Sequence, residues 1–313
     1  MSWEYAAQRK EYARALLELG EEHPEMVVLD GDLSGSTQTA KFKAEYPSRF
    51  FNCGIAEQNM MGTAAGLAAS GKLVFASTFA VFATGRCWDQ VRQSIAYPEF
   101  GVKIVASHAG ITVGGDGASH QIAEDIALMR TLPNMTVVVP ADAPETYKTV
   151  KALPDWPGPC YVRLGRVDFP VVTREEDPFH IGEATTVREG SDIALVGCGQ
   201  MVAACLEAAE ELDREGISAE VLNMSTIKPL DEGALSHAAE KTGGVVTAEE
   251  HNYLTGLGSA VASYLVENEC VPMRRVGIPD RFGESGESHE LMIKYGLTKH
   301  EVMAAAKDVI RRR

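Results

Sequence analysis

Short apolar runs alternate with longer amphipathic stretches along this chain. Met26-Val27-Val28-Leu29-Asp30, Leu73-Val74-Phe75-Ala76, Val102-Lys103-Ile104-Val105-Ala106, Thr136-Val137-Val138-Val139-Pro140 and Tyr161-Val162-Arg163-Leu164 are apolar without period-two alternation. Strands apolar on both faces belong to parallel sheets covered by helices on each side. The intervening segments predict helices over 4–21, 57–70, 80–97, near 120–131 and over 144–153, with a further strand near Phe50. A polar stretch from Val172 to Asp192 interrupts the rhythm. It resumes with Ile193-Ala194-Leu195-Val196-Gly197, a helix over 200–215 and the strand Ala219–Asn223. Gly243–Ala248 and Arg275–Ile278 predict two more strands, and a final helix is expected over 298–312. The fold class is α/β: two tandem open α/β domains with mainly parallel sheets, residues 1–172 and 193–313, joined by a linker over 173–192.

The length of 313 residues suits two such domains. An apolar fraction of 45% and a charged fraction of 23% are ordinary for a globular protein. Twenty-nine basic against 44 acidic residues leave a formal charge of −15, which disfavours nucleic acid and anionic membranes as partners. A local basic pocket for a phosphorylated substrate stays compatible with that total. The six cysteines include no C-x-x-C pair and read as reduced thiols. The N-terminus lacks a basic region followed by an apolar one, and no apolar run reaches the roughly 18 residues of a membrane span. A cytoplasmic protein is expected.

Four stretches change the picture. After the strand near Phe50, Gly54-Ile55-Ala56-Glu57 places an acid in the first turn of a helix, beyond the carboxyl end of a strand, where open α/β sheets bind ligands. Such an acid also complements the helix dipole, so alone it proves nothing. Phe79 and Phe82, three residues apart, are expected on one helical face, as core or as a stacking surface for a flat ring. Ser107–Gln121 sets His108, Asp116 and His120 around a run of glycines, a loop suited to hydrogen-bonding a polyhydroxylated ligand and too sparse for a metal site. Arg163 and Arg166 close a strand, where a guanidinium suits a phosphate. Gly197-Cys198-Gly199 lacks the third glycine of a dinucleotide fingerprint, since Val202 stands there, and reads as a tight strand-to-helix turn.

As an ordered set, Gly54-Ile55-Ala56-Glu57, Ser77-Thr78-Phe79, Gly114-Gly115-Asp116-Gly117-Ala118-Ser119-His120-Gln121, Leu132-Pro133-Asn134, Pro140-Ala141-Asp142 and Asp280-Arg281-Phe282-Gly283-Glu284-Ser285-Gly286 resemble transketolase. The resemblance covers nearly the whole chain and is to the C-terminal half of that enzyme. It implies thiamine diphosphate as cofactor, whose ylid carbon attacks a ketose carbonyl. It makes Glu57 the carboxyl group bonded to the aminopyrimidine ring nitrogen, with Phe79 and Phe82 as the ring's wall and Ile55 and Asp32 near the cofactor. His120, His108 and Asp116 match positions that contact sugar hydroxyl and carbonyl oxygens; Arg166, Ser36 and Arg9 match the phosphate end. The family often has tyrosine where Gly85 stands, which implies a pocket that is wider there or filled by a partner.

The resemblance also exposes an absence. Transketolases hold diphosphate and a divalent metal with a Gly-Asp-Gly stretch followed at a set distance by asparagine. Gly115-Asp116-Gly117 looks like it, yet Asn134 comes too early. The expectation is a split enzyme, with no metal held by this chain. A separate N-terminal subunit would supply diphosphate contacts and Mg or Ca, and a homodimer of this chain would sit within a heterotetramer acting on sugar phosphates. The alternatives are a fragment of a deoxyxylulose-phosphate synthase, the β subunit of a 2-oxoacid dehydrogenase, or a non-catalytic homologue.

Overall fold

The computed structural model describes residues 3–313. Fourteen strands are present among them: β1 (Tyr5–Ala6), β2 (Val27–Asp30), β3 (Phe50–Asn52), β4 (Val74–Phe79), β5 (Val102–Ser107), β6 (Thr136–Val138), β7 (Cys160–Arg163), β8 (Phe169–Pro170), β9 (Thr185–Arg188), β10 (Ile193–Gly197), β11 (Ala219–Asn223), β12 (Thr226–Lys228), β13 (Val245–Asn252) and β14 (Met273–Ile278). Seven form one sheet in the order β12-β6-β7-β5-β4-β2-β3, and five form a second in the order β14-β13-β10-β11-β9. β1 and β8 pair as a separate antiparallel ribbon. Pairing within the two larger sheets is parallel, except for β12 against β6 and β9 against β11.

Every residue of β2, β4, β5 and β10 is buried, as continuous apolar runs require. Successive residues serve opposite faces. Val28, Phe75, Val105 and Val162 pack with Tyr12, Leu16 and Leu19 of the helix Gln8–Glu22. Leu29, Ala76 and Ile104 pack with Met60, Met61 and Ala64 of the helix Glu57–Ala69. Burial of each such large side chain contributes about 1.5–3 kcal/mol, so the sheet is fixed by its neighbours on both sides.

Parallel pairing brings the carboxyl ends of the strands to one edge. Asp30 is in register with Ser77 and Asn52, Phe79 with Ser107, and Ala106 with Arg163. The glycine-rich segments and the start of the helix Glu57–Ala69 leave from that edge.

Several elements differ from expectation. The first helix begins at Gln8, because Tyr5 and Ala6 pair with β8. The segment 80–97 is broken into π-helical turns at Phe82–Arg86 and Val91–Ala96. There Thr84 Oγ1 and Cys87 Sγ donate back to the carbonyls of Ala80 and Ala83, and π turns of this kind gather at functional sites. The helix expected near 120–131 spans only Asp125–Arg130, because Gln121 is held by loop carbonyls. Glu249, Glu250 and His251 lie inside β13 and are buried, although charged and titratable. The stretch 173–192 carries β9, which joins the second sheet. In the Gly197-Cys198-Gly199 turn a Cβ on Gly197 would lie 3.1 Å from Val202 Cα, so close helix packing accounts for that glycine. No helix among the described residues is long and apolar enough to cross a membrane.

Candidate functional site

Glu57 opens its helix after the left-handed Gly54 (φ 72°) has turned the chain away from β3. Its side chain is 1% exposed. Oε2 accepts from Arg86 Nη1 at 2.9 Å, while Oε1 is buried without a partner among the described residues. A buried, unmatched acceptor costs on the order of 1–3 kcal/mol and calls for a ligand. Gly31 lies against it: a Cβ there would come within 3.1 Å of Thr78 Oγ1 and 3.6 Å of Glu57 Cγ. Thr78 Oγ1 is likewise buried with no partner among the described residues.

Phe79 ends β4 and Phe82 starts the π turn, so the two do not share a regular helical face as expected. Their rings are nonetheless nearly parallel, 13° apart with centroids 6.0 Å apart. The His108 ring stacks on Phe79 at 3.7 Å, and the Arg86 guanidinium lies 4.2 Å over Phe82. His120 meets Phe82 edge-on at 5.6 Å. One stack thus runs from His108 to Arg86 and, through Arg86, to Glu57.

His108 has φ 60°, a conformation that strains any side chain with a Cβ and collects at functional sites. It is buried, and Ser107 Oγ lies 2.9 Å from Nδ1. Burial, then the charges of Arg9 and Arg166, push its pKa down to about 3, so the imidazole is neutral. His120 is half-buried, with Ser119 Oγ 3.0 Å from Nδ1.

At the other end Arg9 donates to the carbonyls of Ser36 and Arg166, each at 2.6 Å. Burial, then Arg166, lowers the Arg9 pKa: two guanidiniums are held together where an anion would relieve their repulsion. Arg166 donates to the Val113 carbonyl, and Asp116 Oδ1 lies 4.0 Å from its Nη1. Asp116 is exposed, in the short 3-10 turn Gly114–Asp116. Arg9, Ser36, Arg166, Asp116 and Val113 therefore form one group.

Two expected residues stand at the rim. Asp32 is exposed at φ 65° and accepts from Asn52 Nδ2 at 2.7 Å; Ile55 is 77% exposed. Arg163 is unavailable to a phosphate. It is buried, bonded to Asp125 at 2.8 Å and to the Glu250 carbonyl at 2.8 Å. Space beside Gly85 is open: among the described residues, no atom beyond its own turn lies within 4 Å of where a Cβ would stand. Sequence reasoning missed Arg86, Thr78 and Glu250. An arginine at the end of the turn Phe82–Arg86 carries no local signal, and Glu250 meets Thr112 from 138 residues away.

An aminopyrimidine needs a carboxyl group for a ring nitrogen and an aromatic wall. The bare Glu57 Oε1 and the Phe79–Phe82 stack meet both requirements, so the residues present fit the ring of thiamine diphosphate. Among the described residues no three His, Cys, Asp or Glu side chains gather as a metal site.

Residues 4–171 match the model of the transketolase pyrimidine-binding domain, and 182–302 that of the transketolase C-terminal domain. A Methanocaldococcus jannaschii chain named provisionally as a transketolase C-terminal section is 48% identical over 300 residues, 95% of this chain and 94% of that one. A 6-deoxy-6-sulfo-D-fructose transketolase subunit of Clostridium sp. (strain MSTE9) is 44% identical over 97% of this chain and 95% of its own. A solved structure described as a split gene transketolase, inactive beta4 tetramer, superposes with a TM-score of 0.92 at 51% identity, covering 97% of this chain and 98% of that chain. The chain belongs to the transketolase family, carrying in tandem the pyrimidine-binding and C-terminal domains of this thiamine diphosphate-dependent type of enzyme.

Proposed function

We propose that this chain is the C-terminal subunit of a split transketolase, transferring a two-carbon ketol unit from a ketose phosphate to an aldose phosphate. The observation that carries the reading is the buried, half-satisfied carboxyl group of Glu57 beside an aromatic stack. Bound thiamine diphosphate supplies the carbon nucleophile for the ketose carbonyl. Glu57 holds a proton between Oε1 and the pyrimidine nitrogen, while Arg86 fixes Oε2 and so the carboxyl plane. Phe79 and Phe82 form the ring's wall and keep water from it. Neutral His108, with His120 beside the same stack, hydrogen-bonds sugar oxygens, and Asp116 contacts a hydroxyl. Arg9 and Arg166, next to Ser36, take the phosphate end.

A second, N-terminal subunit holds the diphosphate and a Mg or Ca ion. Two observations support this: the sequence lacks the asparagine that completes the Gly-Asp-Gly element, and Asp116 faces Arg166. The working assembly is a heterotetramer built on a homodimer of this chain. The test is reconstitution with a separately encoded diphosphate-binding subunit, followed by assay of two-carbon transfer between sugar phosphates. The mixture is expected to be active and each chain alone inactive. Full transfer by this chain alone, supplied with thiamine diphosphate and Mg, overturns the split-subunit reading.

A further inference from the structure

The second domain touches the glycine-rich loop of this site at several points. Glu250, in β13, is 3% exposed. Its Oε1 accepts from both Thr112 N at 2.8 Å and Thr112 Oγ1 at 2.9 Å, and its Oε2 accepts from Gln200 Nε2 at 2.6 Å. Three donors therefore fix the carboxylate, and Arg163 separately holds the Glu250 main-chain carbonyl at 2.8 Å. Burial raises the Glu250 pKa, opposed by Arg163, Thr112 and Gln200. Gly110 has φ 76°, and a Cβ there would run into the Glu250 carboxylate. Ser288 Oγ donates to the Thr112 carbonyl at 2.9 Å, and Gln121 bridges the carbonyls of Ile111, Gly114 and Glu284. A Cβ on Gly117 would come within 2.5 Å of Ser285 Oγ. Gly110, Gly114 and Gly117 thus stand where side chains of the second domain pass.

We propose that Glu250 is a positioning residue that, through Thr112, sets the loop carrying His108, Asp116 and His120, and that shaping this loop is the second domain's contribution to sugar transfer. The inference rests on the reading of that loop as sugar-binding. Glu250 itself touches neither sugar nor cofactor. It acts by holding Thr112, from which the chain runs through Val113, the acceptor of Arg166, to Asp116 and His120. A displacement of about an ångström at a positioning element costs on the order of 10²-fold in kcat/KM.

The test uses the reconstituted two-subunit complex with Glu250→Ala and Glu250→Gln. Glu250→Ala is expected to raise the KM for both sugars and lower kcat/KM on the order of 10²-fold, with the calorimetric Kd for thiamine diphosphate unchanged. Glu250→Gln, which keeps an acceptor facing Thr112, is expected to restore most of kcat/KM. Amide exchange of 109–121 should accelerate in Glu250→Ala while β10, β11 and β13 keep their protection. Thr112→Val, which removes one donor and keeps the backbone bond, gives the same pattern more weakly and serves if Glu250→Ala does not fold. Unchanged KM together with unchanged exchange overturns the proposal, as does exchange that rises equally across the second sheet. Should wild-type complex show no ketol transfer, the functional reading fails, while exchange of 109–121 still decides whether Glu250 holds the loop.

Discussion

Arg86 bonds Oε2 of Glu57 at 2.9 Å with its guanidinium 4.2 Å over the ring of Phe82, so one side chain ties the site's acid to its aromatic wall. In the proposed function, the acid's remaining oxygen meets the pyrimidine ring of thiamine diphosphate. Replacing Glu57 with Gln keeps the volume and removes the shared proton; turnover of the reconstituted complex should fall by roughly 10²–10⁴-fold. The thermal midpoint should move little, since Arg86 is half-exposed and can be hydrated. A variant turning over at the wild-type rate would mean that the carboxyl has no part in the chemistry.

Arg166 sits with Arg9 and Ser36 at the far end of the same edge. A charge-assisted bond to a phosphate contributes about 1.5–3 kcal/mol, so Arg166→Ala should raise the KM for sugar phosphates about 10- to 100-fold. An unphosphorylated ketose should be unaffected. Equal losses for both substrates would show that the arginine shapes the loop, through Val113, and does not read the phosphate.

Arg163 belongs to stability. It is buried against Asp125, which Tyr161 also contacts at 2.7 Å. Arg163→Met strands the Asp125 charge and should cost about 3–5 kcal/mol, read as a lower urea midpoint. A midpoint within error of wild type would contradict a charged Asp125 in the fold.

Glu145 gives a pH dependence. It is buried, accepting from Ala141 N at 2.6 Å and Asn223 Nδ2 at 2.8 Å, and burial lifts its pKa from 4.5 to about 7. The folded state therefore binds a proton that the unfolded state releases near 4.5. Its contribution is complete below that value and is lost as pH rises through about 7, on the order of 3 kcal/mol in all. In Glu145→Gln this slope should vanish, so the variant gains on wild type between pH 5 and 8. Parallel curves of unfolding free energy against pH would refute the assignment.

The strands were legible because burial on both faces forces an apolar run, as in Val27-Val28-Leu29, that no surface element shares. The place of Glu57 after a glycine at a strand's end marked it for notice, but its expected role came only from the ordered motifs, because the first turn of a helix favours an acid in any case. Arg163 and Arg166 looked alike in one tetrapeptide, yet the first bonds Asp125 and the second reaches Val113. That difference depends on which partners the sheet brings near, which local spacing does not encode. The same holds for Thr112 and Glu250, whose pairing exists only once both domains have folded. The short β12 was invisible because three residues carry no periodicity.

That short strand has a larger consequence. β12 follows β11 of the second sheet but closes the edge of the first, antiparallel to β6. A chain severed after residue 182 would leave β6 with a raw hydrogen-bonding margin, open to self-association. A genetic cassette that carries the front half alone must therefore also carry Thr226–Lys228, or expect a self-associating product.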